Sequence, residues 1–472
     1  MEKIVVGVID KGSYKLYYDQ ETGKVTYELA NNSANTWTQQ AGNDIKGSWD
    51  LNGKPIINDQ VIIAGNLYVG LGNAVGDAEV WKWDGSTWTM VGGDGKNSSW
   101  PDQTYENVKS LAANGNTLYA GLGSTVGDGE VWSCNTATGC TTWTKIGGDG
   151  INSSWPVNVY EEVSSMVTVG GNLYAGLGLS AGDGEVWSCN TATGCTTWTK
   201  IGGDGINSGW GSEIEAVYSL TTDGSKIYAG LGNTTGDADL YSWNGSAWTK
   251  IGGDGINSGW AASTYEYVFS LRYFGGNLYA GLGATAGDAE VWRWNGSTWT
   301  QIGGDTLNSS WDATSYEMVY SLTDDGTNLY AGLGNTAGDN EVWRWNGSAW
   351  TKIGGDGVNG SFTNTHTIVQ TLVYGNGKLY AGISAASNNA EVWSWDGSTW
   401  TRFGGGYINK SWGYFNLQDV ETMTVSGDYL YAGTGYTVAG NAQVWRFDGN
   451  SWEIVGGQGL NGSWSPSNYE IS

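Results

Sequence analysis

The chain has 472 residues, of which 78 are Gly, 29 are Trp, 27 are Tyr and only 4 are Pro. Its 47 acidic residues outnumber 21 basic ones, and a formal charge of -26 repels phosphate backbones and anionic lipid headgroups. Nucleic acid is therefore not expected as a partner, and without a run of about 18 apolar residues neither is insertion into a membrane.

One tryptophan motif recurs along the whole chain at intervals of 50 to 55 residues. Its copies lie at Trp37, Trp88, Trp143, Trp198, Trp248, Trp299, Trp350, Trp400 and Trp452. This period, in segments that read as short strands, indicates a β-propeller or an open array of β repeats, because one unit cannot bury its own apolar face. No Pro-rich or charged linker interrupts the repeat. We therefore predict a single all-β domain over residues 1–472, with a period of about 51 residues.

The two ends of the chain read as parts of the same repeat. Residues 1–58 form a degenerate first unit, with IVVGVIDKG, YKLYYDQETG, KVTYELANN and TWTQQAG as its four strands. The closing tail, residues 459–472, stops where a further first strand would begin. Sharing one blade between the two ends would remove exposed sheet edges. We predict about nine four-stranded antiparallel blades, with eight blades plus an irregular N-terminal segment as the alternative.

All four cysteines lie in two copies of the insertion CNTATGC. Cys134 is six residues from Cys140, and Cys189 is six residues from Cys195, at the place where other units have a short WNGSTW or WNGSAW turn. A loop closed by its own cysteine pair indicates two local disulfides and an oxidising compartment. Free thiols or a metal pair remain the alternative, although no His or third Cys is near to complete a zinc site.

The unit that begins at Tyr316 shows the strand pattern most clearly. Alternating apolar residues and turn signals predict strand A at Met318–Thr323, B at Asn328–Leu333, C at Glu341–Trp345 and D at Ala349–Ile353. The order of a V-x-S-L strand, LYAG, VW, a turn and TW resembles Asp-box (sialidase-type) and kelch-like propeller repeats over essentially the whole chain. The Asp box itself is replaced by WNGSTW at Trp294–Trp299. The resemblance implies the fold and little else.

Catalysis is not expected. The few arginines are spread over different units, so they cannot converge on a substrate carboxylate as sialidase chemistry requires. His366 is the only histidine, which argues against triads and histidine zinc sites. A glycosidase that uses a carboxylate pair stays open, because acids are plentiful. No unit, however, carries polar chemistry of its own, and we predict that the chain is not an enzyme.

Two repeated segments are expected on one face of a propeller: the B–C loop of the GDAE type and the D-to-A connection of the GGDGINSSW type. A tryptophan flanked by Asp and Asn suits a sugar, whose ring packs on the indole while its hydroxyls meet the polar groups. The alternative is that the tryptophans tuck between blades. The predicted ligand-binding residues are Trp100, Trp155, Trp210, Trp260 and Trp311, with Asp94, Asp149, Asp204, Asp254 and Asp305, and the channel-mouth acids Glu106, Glu161, Glu266 and Glu317.

Calcium is the one cofactor left open, since hard carboxylate oxygens are its usual ligands. The candidate ligands are the B–C loop aspartates Asp128, Asp183, Asp237, Asp288 and Asp339. A solvated acidic face is the other interpretation of these residues.

The preferred function is a non-catalytic binding propeller, extracellular or displayed on a cell surface or virion, that recognises carbohydrate or a surface protein and so serves adhesion. Repetition on one face would convert weak single sites into avidity. The alternative is a self-assembling structural module of a fibre or filament. A polysaccharide-active enzyme comes third, and would need one cleft that breaks the pseudo-symmetry.

Overall fold

A computed structural model describes the strands at residues 4–8, 14–19 and 24–29 and most of residues 57–456. The gaps within that stretch are 73–74, 102–104, 157–158, 181, 233–237, 262–264, 284–286, 313–315, 335–337, 364–365, 385–389, 413–418 and 436–442. The chain divides into two compact units, Met1–Gly42 and Asn43–Ser472. The described residues contain strands and 3-10 turns but no α-helix, so the all-β fold class is confirmed.

The first unit contains a three-stranded antiparallel sheet made of Ile4–Val8, Tyr14–Asp19 and Lys24–Leu29. Tyr14–Asp19 is the central strand, paired on both sides. These strands match three of the four predicted for the degenerate first blade. The predicted fourth strand and the tail 459–472 lie outside the described residues.

The described part of the second unit contains eight blades of four antiparallel strands, each built from consecutive strands A to D and here called blades 1 to 8. Single backbone bridges between strand B of one blade and strand A of the next join blades 4 to 7 into one 16-stranded sheet. Strands A to D of blade 1 are Ile57–Ile63, Asn66–Leu71, Glu79–Trp83 and Trp88–Gly92, and those of blade 2 are Val108–Asn114, Thr117–Leu122, Val131–Asn135 and Trp143–Gly147. Blade 3 has Val163–Val169, Asn172–Leu177, Val186–Asn190 and Trp198–Gly202; blade 4 has Ala216–Thr222, Ile227–Gly232, Leu240–Trp243 and Trp248–Gly252; blade 5 has Tyr267–Phe274, Asn277–Gly283, Val291–Trp294 and Trp299–Gly303. Blade 6 has Met318–Asp324, Leu329–Gly334, Val342–Trp345 and Trp350–Gly354; blade 7 has Ile368–Gly375, Lys378–Ser384, Glu391–Trp395 and Trp400–Gly404; blade 8 has Asp419–Ser426, Tyr429–Gly435, Gln443–Phe447 and Trp452–Gly456. In blade 6 each strand boundary lies within one residue of its predicted place.

The ring closes after eight blades. Blade 8 packs on blade 1, where Tyr431 shares an apolar cluster with Ile57. Gln60 Nε2 donates a hydrogen bond to Thr422 Oγ1 at 3.3 Å across the same junction. The eight-blade alternative is therefore the count found in the described residues, in place of the preferred nine. Blade 8 takes all four of its strands from one continuous stretch, so a blade shared by the two chain ends is not needed to complete it.

Neighbouring blades approach closely at a glycine of strand B. A Cβ added to Gly121 would lie 2.8 Å from Val163 Cγ1 on strand A of the next blade, too close for any side chain. The same relationship repeats at blade junctions around the ring, and at the closing junction Gly433 faces Ile57. The glycines of LYAG are therefore required by packing between blades, as expected where another strand approaches the backbone.

The A strands of successive blades contact one another around the ring, including blade 8 with blade 1, and so surround a central channel. Each A strand carries a β-bulge directly after the valine or isoleucine that packs on the glycine, for example between Val108 and Ser110. A bulge re-aims the side chain of the extra residue. This residue is half-buried in every blade.

The predicted disulfides are confirmed. Cys134 pairs with Cys140 and Cys189 with Cys195, and there are no free cysteines among the described residues. Each bridge closes a loop that contains a short 3-10 turn, Thr136–Thr138 or Thr191–Thr193. The same described residues include no helix long and apolar enough to cross a membrane.

Candidate functional site

The B–C loop and the D-to-A connection do share one face. Trp100, in the connection after blade 1, donates from its indole nitrogen to the carbonyl oxygen of Ala78 in the B–C loop at 2.6 Å. The amide of Gly76 in that loop donates to the carbonyl of Tyr105, just before strand A of blade 2, at 3.0 Å. His366 offers its carbonyl in the same way to Gly338, at 3.2 Å. His366 therefore contributes its backbone carbonyl to the contact between the B–C loop and the segment before strand A.

The connection tryptophans are buried, which corrects their predicted role as sugar-stacking plates. Trp100, Trp155, Trp210, Trp260 and Trp311 are only 1–2% exposed. Each packs edge-on against aromatic rings of the next blade; Trp100, for example, lies 5.8 Å from Trp132 and 5.3 Å from Trp143, measured between ring centroids. Each also donates its indole N–H to a backbone carbonyl of its own B–C loop. The rings join blades, as the alternative interpretation held.

The outward part of each connection is a tip around a short 3-10 turn, which exposes polar side chains and, in several blades, an Ile, Leu or Tyr side chain. Seven such turns occur in the described residues: Lys96–Ser98, Ile151–Ser153, Ile206–Ser208, Ile256–Ser258, Leu307–Ser309, Val358–Gly360 and Ile408–Lys410. We call each turn, together with the two residues before it, a connection tip. The predicted aspartates are the first residues of their tips; Asp94, Asp204, Asp254 and Asp305 are exposed, and Asp149 is partly exposed. The face thus presents a small acidic surface at the first six tips, whereas the seventh has Gly406 in place of the aspartate.

Hydrogen bonds hold each tip rigidly. In the first tip, Asn97 Nδ2 donates to the carbonyl of Val91 at 3.1 Å, and the Ser99 hydroxyl accepts from the amide of Gly93 at 2.8 Å. The Asn bond recurs in all seven tips. Asn tolerates the left-handed conformation that each of these positions adopts, with Asn97 at φ 54°. The tips are therefore ordered copies of one shape.

In several blades, a lysine on strand D bonds both the aspartate of the tip and a buried glutamate. Lys145 bonds both Asp149 and Glu130, and Glu130 also accepts from the indole of Trp132 at 2.7 Å. Burial raises the pKa of Glu130, while the bond to Lys145 acts in the opposite direction. In blade 5 the lysine is replaced by Gln301, and burial raises the pKa of Glu290 there to about 7.

The predicted mouth acids form close pairs with the B–C loop aspartates. Burial, together with the hydrogen bond and charge of Glu106, raises the pKa of Asp128 to about 6. Burial and Glu161 act in the same way on Asp183, whose pKa rises to about 7. The remaining predicted acids occupy the equivalent places: Glu266 and Glu317 are half-buried, Asp288 and Asp339 are buried, and Asp237 lies outside the described residues.

Calcium binding stays a prediction. No group of three or more His, Cys, Asp or Glu side chains in the described residues is arranged to hold a metal ion. A pair of carboxyl groups supplies fewer oxygens than the six to eight that calcium usually takes.

One set of residues escaped the sequence reasoning: the bulge residue of each strand A, which borders the channel. Its neighbours along the strand are nearly the same in every blade, whereas the bulge residue itself is never the same in two consecutive blades. The set comprises Asn58, Lys109, Ser164, Tyr218, Phe269, Tyr320, Gln370 and Glu421. We call these the channel residues. The sequence signal that could have identified the channel residues is variation at one position of an otherwise repeated strand. This variation breaks the pseudo-symmetry of the blades, which the sequence analysis treated as uniform.

No protein-family profile matches the chain, and no curated protein matches it in sequence. Among solved structures, Sqt1 of Saccharomyces cerevisiae is 14% identical with a TM-score of 0.52, over 85% of this chain and 98% of that one. A Mitotic Checkpoint Complex chain is 13% identical with a TM-score of 0.46, over 88% and 99%. The GH74 enzyme of Niastella koreensis is 16% identical with a TM-score of 0.40, over 89% and 74%. The likeness shows the β-propeller fold alone.

Proposed function

We propose that this chain is a non-catalytic, extracellular binding propeller, which recognises a repetitive polar partner, a carbohydrate polymer or a glycan-coated surface, through its connection tips. The observation that carries the proposal is the repetition of one exposed, hydrogen-bonded tip in seven of the blades. Asp and Asn side chains offer acceptors and amides to sugar hydroxyls. A single tip would bind weakly, and seven copies on one face would bind a polymer with avidity.

The extracellular assignment rests on the two disulfides, because such bonds persist in oxidising compartments. The buried tryptophans change the chemistry expected of the site. A sugar would be held by hydrogen bonds at the tips rather than by stacking, so single-site affinity would be low and specificity would come from spacing.

A glycan array, probed with and without calcium, tests the proposal. The informative variant carries Asp204→Asn, Asp254→Asn, Asp305→Asn and Asp356→Asn, which removes four tip charges. The matched control removes four charges elsewhere through Asp84→Asn, Asp396→Asn, Asp428→Asn and Glu453→Gln. Asn already occupies the equivalent of Asp84 in blade 4, as Asn244, with the same turn hydrogen bonds. We expect array binding to fall at least about tenfold in the tip variant only. Equal binding by both variants would refute the role of the tips.

A self-assembling module is the second candidate, and exposed apolar side chains on the tips favour it. Ile151, Ile206 and Leu307 are 36–40% exposed and Tyr407 is 67% exposed. Analytical ultracentrifugation over a range of concentrations distinguishes the two functions. Reversible assembly that Tyr407→Ser and Leu307→Ser abolish would support assembly, and a monomer at all concentrations would exclude it.

A further inference from the structure

The central channel is lined differently on its two sides. In each blade the residue before the bulge packs on the neighbouring glycine, as Val163 does on Gly121. In several blades the residue after the bulge is a serine that bonds the next blade; Ser110 donates to the carbonyl of Val163 at 2.8 Å. These two positions are fixed by contacts between blades. The channel residue between them is free to differ, and its chemistry changes around the ring.

Blades 4 to 6 give the channel an aromatic wall. Tyr218 lies 5.2 Å from Tyr267, and Phe269 lies 5.2 Å from Tyr320, both edge to face between ring centroids. Tyr267 and Phe269 join the two pairs at 6.4 Å. All four rings are half-buried and belong to the A strands, which contact one another around the ring. Large aromatic side chains that remain accessible in a concave place are typical of ligand sites.

The other blades give the channel a polar wall. Lys109 forms an ion pair with Glu162 at 3.3 Å, and Gln370 Nε2 donates to Glu421 Oε2 at 3.2 Å. Asp419 lies two residues before Glu421 on the same strand, and burial together with the charge of Asp419 raises the pKa of Glu421. No described lysine or arginine forms an ion pair with Asp419 or Glu421. This part of the wall therefore carries two neighbouring carboxyl groups and no cation of its own.

We infer that the channel binds an amphipathic organic cation, an ammonium or guanidinium group carried on an apolar body. The apolar body packs on the aromatic wall formed by Tyr218, Tyr267, Phe269 and Tyr320, and the cation lies against Asp419 and Glu421. Charge complementarity decides the class, because the mouth is bordered by further glutamates and the whole chain is strongly acidic. Aromatic faces add cation–π attraction.

The titration of the acidic pair agrees with this assignment. Burial raises the pKa of Asp419 to about 6 and that of Glu421 to about 7. A bound cation favours the charged carboxylates, so it lowers both pKa values and releases protons. The wall also carries the ion pair of Lys109 with Glu162, and the mouth carries Glu106, Glu161, Glu266 and Glu317. Burial raises the pKa of Tyr218 to about 12, so it stays neutral. Affinity should therefore rise from about pH 5 to about pH 8.

Three probes of one shape test the inference by isothermal titration calorimetry: 4-phenylbutylamine, 4-phenylbutanol and 4-phenylbutyrate. We expect the amine to bind at least about tenfold more tightly than the alcohol, and the carboxylate not to bind. Titration of the amine in buffers of different ionisation enthalpy should show proton release. Equal binding of all three probes, or no binding of the amine, would overturn the assignment.

Variants of the channel residues locate the site. Glu421→Gln is the sharpest change, because blade 7 already carries Gln370 at the equivalent place and the fold accepts it. We expect Glu421→Gln with Asp419→Asn to weaken amine binding about tenfold, and Phe269→Ala to weaken the amine and the alcohol alike. Asp396→Asn, in an exposed turn where blade 4 already carries Asn244 with the same hydrogen bond, is the control and should change nothing. Undiminished amine binding by the folded acidic-pair variant would refute the site. The tip variant should bind the amine normally, which separates this inference from the proposed function.

Discussion

Glu290 in blade 5 lacks the cation that its counterpart Glu341 receives from Lys352, because Gln301 occupies the place of the lysine. Both glutamates are buried and accept a bond from a tryptophan indole. The chain thus contains the same site with and without its counter-charge, and the difference can be tested in both directions.

Gln301→Lys should stabilise blade 5. A lysine there would hold Glu290 charged, lower its pKa below about 7 and, by a charge-assisted bond, raise the free energy of unfolding by about 1 kcal/mol near neutral pH. Lys352→Gln is the matched reverse change and should destabilise blade 6 by a similar amount. Urea denaturation measures both. Shifts of the same sign in the two variants would contradict this account.

Gly121→Ala should destabilise the junction between blades 2 and 3. Its Cβ would lie 2.5 Å from Ser110 Oγ and 2.8 Å from Val163 Cγ1, so the blades must separate. Overpacking of this kind costs about 2 kcal/mol. Gly115→Asn, in an open turn at φ 58°, is the control, since nothing lies near its Cβ position and Asn accepts this conformation. Urea midpoints that move equally in the two variants would argue against tight packing at Gly121.

Trp260→Phe and Trp260→Ala should differ widely in stability. Blade 6 already uses Phe362 at the equivalent position, buried to the same extent as Trp260. Phenylalanine keeps the ring contacts and loses the bond to the Ala238 carbonyl, which costs about 1 kcal/mol. Alanine leaves a cavity and costs about 4 kcal/mol. If Trp260→Ala instead kept full stability while losing glycan binding, the ring would belong to a ligand site after all.

Mild acid should stabilise the protein. Burial raises the pKa of Asp59, Asp128 and Asp419 to about 6, and that of Asp183, Glu290 and Glu421 to about 7. In the unfolded chain these groups titrate near about 4, so the folded state holds more protons between about pH 4 and about pH 7. Stability is therefore full at the acid end of this window and is lost as the pH rises through the folded-state pKa values.

Scanning calorimetry checks this pH dependence. The Tm near pH 4.5 should exceed the Tm near pH 7.5, and Asp183→Asn with Glu290→Gln should reduce the difference. Below about pH 4 the trend should reverse, because turn carboxyls such as Asp84, whose pKa is lowered to about 2 by backbone hydrogen bonds, begin to lose their bonds. A Tm that rises steadily from about pH 4.5 to about pH 7.5 would contradict the assignment of the buried acids.

The fold was largely predictable because the residue patterns that define strands and turns are local in sequence. Alternation and turn residues placed the strands of blade 6 within one residue, and the cysteine spacing identified both disulfides. The blade count was not fixed by local pattern, since closure depends on contacts such as Gln60 with Thr422, far apart in the chain. The burial of Trp100 could not be predicted either, because the sequence around a tryptophan that stacks on a sugar does not differ from that around one packed between blades. The channel residues could be recognised in the sequence only as a position that varies from one repeat to the next.

In the described residues, blades 8 and 1 close the ring through side-chain contacts rather than through a shared strand. Every blade in the described residues is one uninterrupted stretch of chain, and the last meets the first through contacts such as Arg446 over the ring of Trp83. The chain could therefore be reopened at any connection tip, with new termini there and a linker across the junction of blades 8 and 1, without dividing a blade. Circular permutants that begin at different tips should share one topology and present the same ring in a different covalent order.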